Sequence, residues 1–232
     1  MKSSMPNHQS SISTAKQQVV EYAQALVEKG FLSGTGGNLS VRIGGMNAFA
    51  VTPSNFDYTQ MTPDDVCVLD FDGNQLEGKR KPSIESGLHA AVYASRSDVG
   101  CVIHTHQVYA STLGLIDSPI PALYDEQVRW LGRSVEIVPY APSGTSFLKK
   151  NIAKMVKNGH NAYIMKNHGA LTLGPTPERA MHNVLLLEKC ALTYLLALCT
   201  EKKITKIPLP IREIAFAKLR KDQKRLSAND HP

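Results

Sequence analysis

Apolar residues recur at helical spacing at Val19, Val20, Ala23, Leu26 and Val27, between a Thr14/Gln17 capping pair and Gly30. Two short β-rich runs follow at residues 39–43 and 49–51, joined across Gly44 and Gly45, and they read as a hairpin. A strand at 66–71 closes on Asp72 and Gly73 and leads to Gln75 and Leu76. Helices are predicted at 84–94, 108–115, 126–131 and 147–157, and strands at 135–138, 162–165 and 170–173. Thr176 caps a long helix that carries Pro177 in its first turn and runs to about Thr200. Pro208 and Pro210 break the chain before a basic helix near 214–221. Short strands mixed with helices, without a regular βαβ period, predict one α/β domain whose mixed, mainly antiparallel sheet is covered by helices. That domain spans 13–207, with a mobile polar segment at 1–12 and a basic tail at 208–232.

Three places in this pattern carry chemistry. The apolar run Cys101, Val102, Ile103 ends in His104, Thr105 and His106, which suits a strand emerging from a core. Residues two apart on a strand face the same way, so both imidazoles point to one side, as a metal site needs. A chance pair of polar residues at a strand end is the plainer alternative. Upstream, Ser83 and Glu85 enter a helix on which His89 lies one turn below Glu85. Downstream, Asn167, His168 and Gly169 sit between two apolar strands. A carboxylate, a histidine pair and a third histidine form a ligand set suited to zinc, which takes three protein ligands in catalytic sites. Near the N-terminus, the glycine-rich turn 34–38 offers backbone N–H groups to an anion, or serves only as the entry to the hairpin.

Composition narrows the class. With 42% hydrophobic and 20% charged residues in 232, the chain suits a single soluble core. The most apolar segment, 185–199, is interrupted by Glu188 and Lys189, so no membrane span is expected. The N-terminus lacks the apolar core of a secretory signal. Cys67, Cys101, Cys190 and Cys199 form no C-x-x-C pair, lie in apolar runs and read as buried reduced thiols of a cytoplasmic protein. The net charge of +6 is concentrated after residue 200, where nine Lys or Arg face four Asp or Glu. No recognition motif accompanies that basic stretch, so a solvated helix is expected rather than a nucleic-acid contact.

Taken in order, the stretches 34–42, 81–89, 100–106 and 167–169 resemble the class II aldolase family. That family holds fuculose-phosphate and rhamnulose-phosphate aldolases, ribulose-phosphate 4-epimerases and the adducin head domain. The resemblance spans about residues 15–200. It implies a three-layer αβα domain and a homotetramer with active sites at subunit interfaces. It implies that His104, His106 and His168 bind Zn2+, or another divalent transition metal. Glu85 would be a further ligand without substrate and the base with it. Gly37, Asn38, Ser54, Asn55 and Ser83 match positions that hold a substrate phosphate. Two departures weaken those contacts: Ile84 stands where the aldolases carry a second serine, and Asn55 where they carry glycine. The catalytic acid is expected among Tyr124, Asp125 and Glu126. Asp125 falls where a neighbouring subunit's tyrosine is expected, Tyr124 is one residue off, and Glu126 resembles the acid/base of the related dehydratases. No tyrosine follows Tyr194 to match the C-terminal one of some members. His89 is expected to orient Glu85, His160 to lie exposed in a loop and His182 to pack on the long helix. His8 and His231 fall in the tails.

The activity implied is a zinc-dependent carbon–carbon lyase acting on a small phosphorylated ketose through a metal-stabilised enediolate. Decarboxylation of a 3-oxo sugar acid, epimerisation and dehydration use the same metal-held enolate. An adducin-like binding module would lack the ligands found here.

Overall fold

A computed structural model describes residues 8–32 and 36–229. Gly34 and Thr35 of the glycine-rich turn, residues 1–7 and His231 lie outside the described residues. The strands are β1 (Asn38–Arg42), β2 (Ala48–Val51), β3 (Cys67–Asp70), β4 (Gln75–Glu77), β5 (Cys101–Thr105), β6 (Glu136–Val138), β7 (Ala162–Met165) and β8 (Gly169–Gly174). They form one eight-stranded sheet in the order β4-β3-β2-β1-β5-β8-β7-β6. Every neighbouring pair is antiparallel except β6 and β7. The mixed, mainly antiparallel sheet expected from the sequence is therefore the observed one.

Strand alternation distributes the core to two faces. On one face Leu39, Val41, Ala50, Val68 and Ile103 pack under α1 (His8–Glu28) and α6 (Pro177–Leu198). α3 (Val108–Leu115) covers Ile164 and Ala170 on the same side. On the other face Phe49, Val51, Val102, Leu171 and Tyr163 pack under α2 (Ser86–Ser95) and α5 (Ser146–Met155). Helices on both faces of a sheet make three layers. α6 is long and apolar enough to cross a membrane by length and composition. In this chain its apolar side, including Val184, Leu187, Cys190 and Ala191, is buried in the two clusters of the first face.

Several sequence expectations shift. α1 begins at His8 rather than at Thr14, whose hydroxyl donates to the Ser10 carbonyl inside the helix at 3.0 Å. Ile12 packs on the core, so the helix is anchored earlier than its polar start suggests. The C-terminal helix α7 runs Leu209–Asn229 and docks on α4 (Asp125–Trp130). Phe216 and Leu219 are buried there against Ala122 and Val128, and Arg133 pairs with Glu213 at 2.5 Å. The solvated helix expected is thus half covered. His160, expected to be exposed, is 3% exposed, its ring against Tyr163 and Phe216. Of the four cysteines, Cys199 is exposed, since it follows the last turn of α6.

Candidate active site

β5 carries the centre of the site. Its residues Val102 and His104 face the α2/α5 side, and His104 is fully buried beside Asn38 on the neighbouring β1. The Nδ1 proton of His104 is donated to the Ala170 carbonyl at 2.9 Å. A carbonyl only accepts, so the Nε2 lone pair is left to face the cluster. His106 leaves the end of the strand toward the surface, and its Nε2 lies 3.2 Å from that of His104. His168 enters from the β7–β8 turn, where Asn167 takes a left-handed φ of 53°. The ligand nitrogens of His104, His106 and His168 all lie within 4.8 Å of one another.

Two glycines permit this crowding. A Cβ on Gly169 would meet the Thr105 carbonyl oxygen at 2.5 Å and the rings of His106 and His104 at 2.9 and 3.1 Å. Gly37 has φ +82°, and a Cβ there would sit 2.6 Å from the His104 carbonyl oxygen.

Glu85 completes the group from the N-cap of α2. Its carboxylate oxygens lie 3.3 Å from His104 Nε2 and 3.1 Å from His168 Nε2. Asn38 donates to Oε2 at 2.9 Å, whereas Oε1 is buried without a hydrogen-bond partner. Burial pushes the Glu85 pKa up, but the His168 contact, the charges of His104 and His168 and the Asn38 bond outweigh it. The carboxyl stays ionised, well below the usual range. Burial holds His104 at about 4 and also lowers His106, so both are neutral near pH 7 and hold free lone pairs. Three imidazoles converging on one space, beside an ionised carboxylate, fit a divalent transition metal.

The pocket in front of this cluster has a volume of about 240 Å³. Gly37, Asn38, Ser54, Asn55 and Ser83 all line it, together with Glu85, His106 and His168. The structure therefore brings the expected substrate positions to the histidine cluster. Asn38 is 3% exposed and uses its amide on Glu85 and His89. The Ser83 hydroxyl accepts from the Glu85 backbone N–H at 3.3 Å. Ile84 stands 71% exposed at the rim. No Lys or Arg lines this pocket among the described residues, so an anion there relies on hydroxyl and amide donors and the N-terminus of α2.

Tyr124, Asp125 and Glu126 do not line this pocket. They start α4, and the Glu126 carboxylate lies 3.5 Å from Lys189 and 3.8 Å from His182 on α6. Sequence reasoning missed Tyr58 and Ser143 in the pocket wall. The Tyr58 hydroxyl donates to the Gly37 carbonyl at 3.0 Å, and Ser143 Oγ lies 3.3 Å from His168 Nε2. Neither belongs to a motif: Tyr58 opens a short 3-10 helix just after Asn55, and Ser143 reaches the site from the loop after β6. Three larger clefts, of about 500, 470 and 410 Å³, lie away from the histidine cluster, where α7 meets the body.

Residues 17–195 match the family model described as Class II Aldolase and Adducin N-terminal domain. The chain is 31% identical over 182 residues to a 5-deoxy-D-ribulose 1-phosphate aldolase of Bacillus thuringiensis serovar kurstaki, covering 77% of this chain and 83% of the relative. It is equally 31% identical over 182 residues to an L-fuculose phosphate aldolase of Escherichia coli strain K12, with the same 77% and 83% coverage. A solved L-fuculose 1-phosphate aldolase superposes with a TM-score of 0.83 at 34% identity, over 89% of this chain and 96% of that one.

Proposed function

We propose that this chain, which belongs to the class II aldolase and adducin family, cleaves a ketose 1-phosphate with zinc as its metal. The family's aldolases are metal-dependent enzymes, and the relatives described above are named as aldolases of phosphorylated sugars. The observation that carries the reading is the meeting of three imidazole nitrogens within 4.8 Å with the Glu85 carboxylate 3.1 and 3.3 Å from two of them.

His104, His106 and His168 would hold the zinc. Bound there, the ion supplies Lewis-acid charge beside the oxygens on which an enediolate develops. In the cleavage direction the C4 hydroxyl loses its proton as the C3–C4 bond breaks, releasing an aldehyde. The remaining enediolate takes a proton at C3 and becomes dihydroxyacetone phosphate. Glu85 is the group placed to deliver that proton and, in reverse, to remove it. Ser54, Asn55, Ser83 and Gly37 bind the phosphate at the N-terminus of α2. Tyr124, Asp125 and Glu126 lie outside the pocket of their own chain, so the acid for the C4 oxygen comes from a neighbouring subunit of a homotetramer. A soluble, cytoplasmic enzyme of carbohydrate metabolism accords with these assignments.

The test is a screen of zinc-loaded protein against ketose 1-phosphates and 3-oxo acids, with aldehyde and carbon dioxide both followed. Aldehyde release from a ketose 1-phosphate is expected. Carbon dioxide release from a 3-oxo acid without aldehyde formation would assign the same site to a decarboxylase.

A further inference from the structure

We infer that a buried hydrogen-bond chain running from Tyr93 through Ser40, His89 and Asn38 positions Glu85 for proton transfer, with His89 as its pivotal positioning residue. This rests on the reading of Glu85 as the base. Asn38 Nδ2 lies 2.9 Å from Glu85 Oε2, and Asn38 Oδ1 lies 2.5 Å from His89 Nε2. His89 Nδ1 lies 2.6 Å from Ser40 Oγ, which is 2.8 Å from the Tyr93 hydroxyl. Asn38, Ser40, His89 and Tyr93 are each at most 3% exposed.

The protons in this chain have one consistent direction. An ionised carboxylate only accepts, so the Asn38 amide must turn its NH2 to Glu85 and its oxygen to His89. His89 must then carry its proton on Nε2 and accept on Nδ1. Ser40 is the donor to Nδ1, and the single Tyr93 hydroxyl proton is shared between Ser40 Oγ at 2.8 Å and the Ser40 carbonyl at 3.0 Å. A flipped Asn38 would set an amide oxygen against the carboxylate and an NH2 against the His89 N–H. The imidazole tautomer therefore locks the amide, and the amide holds one carboxylate oxygen. Full burial keeps His89 neutral, so the tautomer persists across the working pH range.

The consequence concerns the other oxygen. With Oε2 held by Asn38, Glu85 Oε1 makes no hydrogen bond and faces the histidine cluster, 3.1 Å from His168 Nε2. An oxygen without a donor is the stronger proton acceptor. A carboxylate fixed on one side also pays less reorganisation when it takes the proton. Glu85 sits at an N-cap whose side chain makes no capping bond to α2, so its rotamer depends on these contacts. Ser40 on β1 and Tyr93 on α2 tie the assembly to the sheet and the helix.

The experiment measures exchange of a carbon-bound proton of dihydroxyacetone phosphate in deuterated water by zinc-loaded protein, without aldehyde. His89→Leu should slow exchange about ten- to a hundred-fold, with zinc stoichiometry unchanged and KM for dihydroxyacetone phosphate within about three-fold. His89→Gln, which can present an N–H to Asn38, should restore part of the rate. Ser40→Ala should give a smaller loss of kcat with the same KM, and it decides the matter if His89→Leu does not fold. Exchange at the wild-type rate in folded His89→Leu or Ser40→Ala overturns the inference, as does a loss that tracks lost zinc. Absence of exchange in the wild type would instead remove the reading of Glu85 as the base.

Discussion

At Gly169 the room for one methyl group decides whether two histidines can share a space. A Cβ there would press the Thr105 carbonyl oxygen at 2.5 Å and the His106 ring at 2.9 Å, and neither the strand backbone nor a ring held in the cluster can yield cheaply. Gly169→Ala should cost about 1–3 kcal/mol of stability by overpacking and weaken zinc binding in a titration, while the secondary structure stays intact. His104→Ala, His106→Ala and His168→Ala should each lower zinc stoichiometry sharply in folded protein. Full metal content in all three would place the ion elsewhere. These histidines were legible in the sequence because His104 and His106 follow an apolar strand run at alternate positions, one within its end and one just past it, and the third follows a turn residue suited to a left-handed φ. Asn55, a departure from the family's glycine, has φ 52°, so asparagine meets the same backbone demand. His160 was misread because its burial comes from Phe216, distant in sequence, which no local pattern announces.

The elements differ in how plainly the chain announces them. α6 begins with Thr176, whose Oγ1 accepts from the Arg179 N–H at 3.4 Å, followed by Pro177 in the first turn, and both signals were readable. The β1–β2 hairpin was readable from its glycine pair. The pairing of β1 with β5 was not, because it joins residues 60 to 66 apart and depends on which strands share the core. That pairing is what sets Asn38 beside His104 and allows the chain to Glu85. α7 was read too short because Pro208 and Pro210 look like a break, whereas Pro210 occupies the first turn of the helix, where proline is tolerated. Its anchor is Phe216, 4% exposed, with the Arg133 guanidinium 4.0 Å from its ring centroid. Phe216→Ala should cost about 3 kcal/mol and lower Tm in a thermal melt. The zinc stoichiometry should not change, since no residue of α7 lines the histidine pocket.

On the scale of the whole molecule, the metal-free protein should lose stability as the pH falls below neutrality. The groups responsible are histidines buried in their neutral form. Desolvation holds His89 at about 3 and His160 at about 4, against an ordinary value of 6.5. For His160 the charges of Arg133, Arg96 and Arg220 act in the same direction. His104 is likewise held at about 4 by burial. A group whose folded pKa is depressed binds protons in the unfolded chain before it binds them in the folded one. Between about pH 6.5 and 4 the unfolded state therefore carries more protons, and stability rises with pH across that window. The Glu85 carboxyl, held below the usual range, adds a contribution that is present above its unfolded value of 4.5 and lost as the pH falls further. Denaturant melts of the apoprotein should show a loss on the order of several kcal/mol from pH 7 to pH 4. Zinc binds through imidazole lone pairs, so its stabilising shift should be large at pH 7 and fall as the pH drops toward about 4, where His104 takes up a proton. His160 lies outside the histidine cluster, so His160→Phe should flatten the apoprotein's pH dependence while leaving the zinc-induced shift in place. An apoprotein equally stable at pH 4 and pH 7 would mean that these imidazoles take up protons in the folded state without cost.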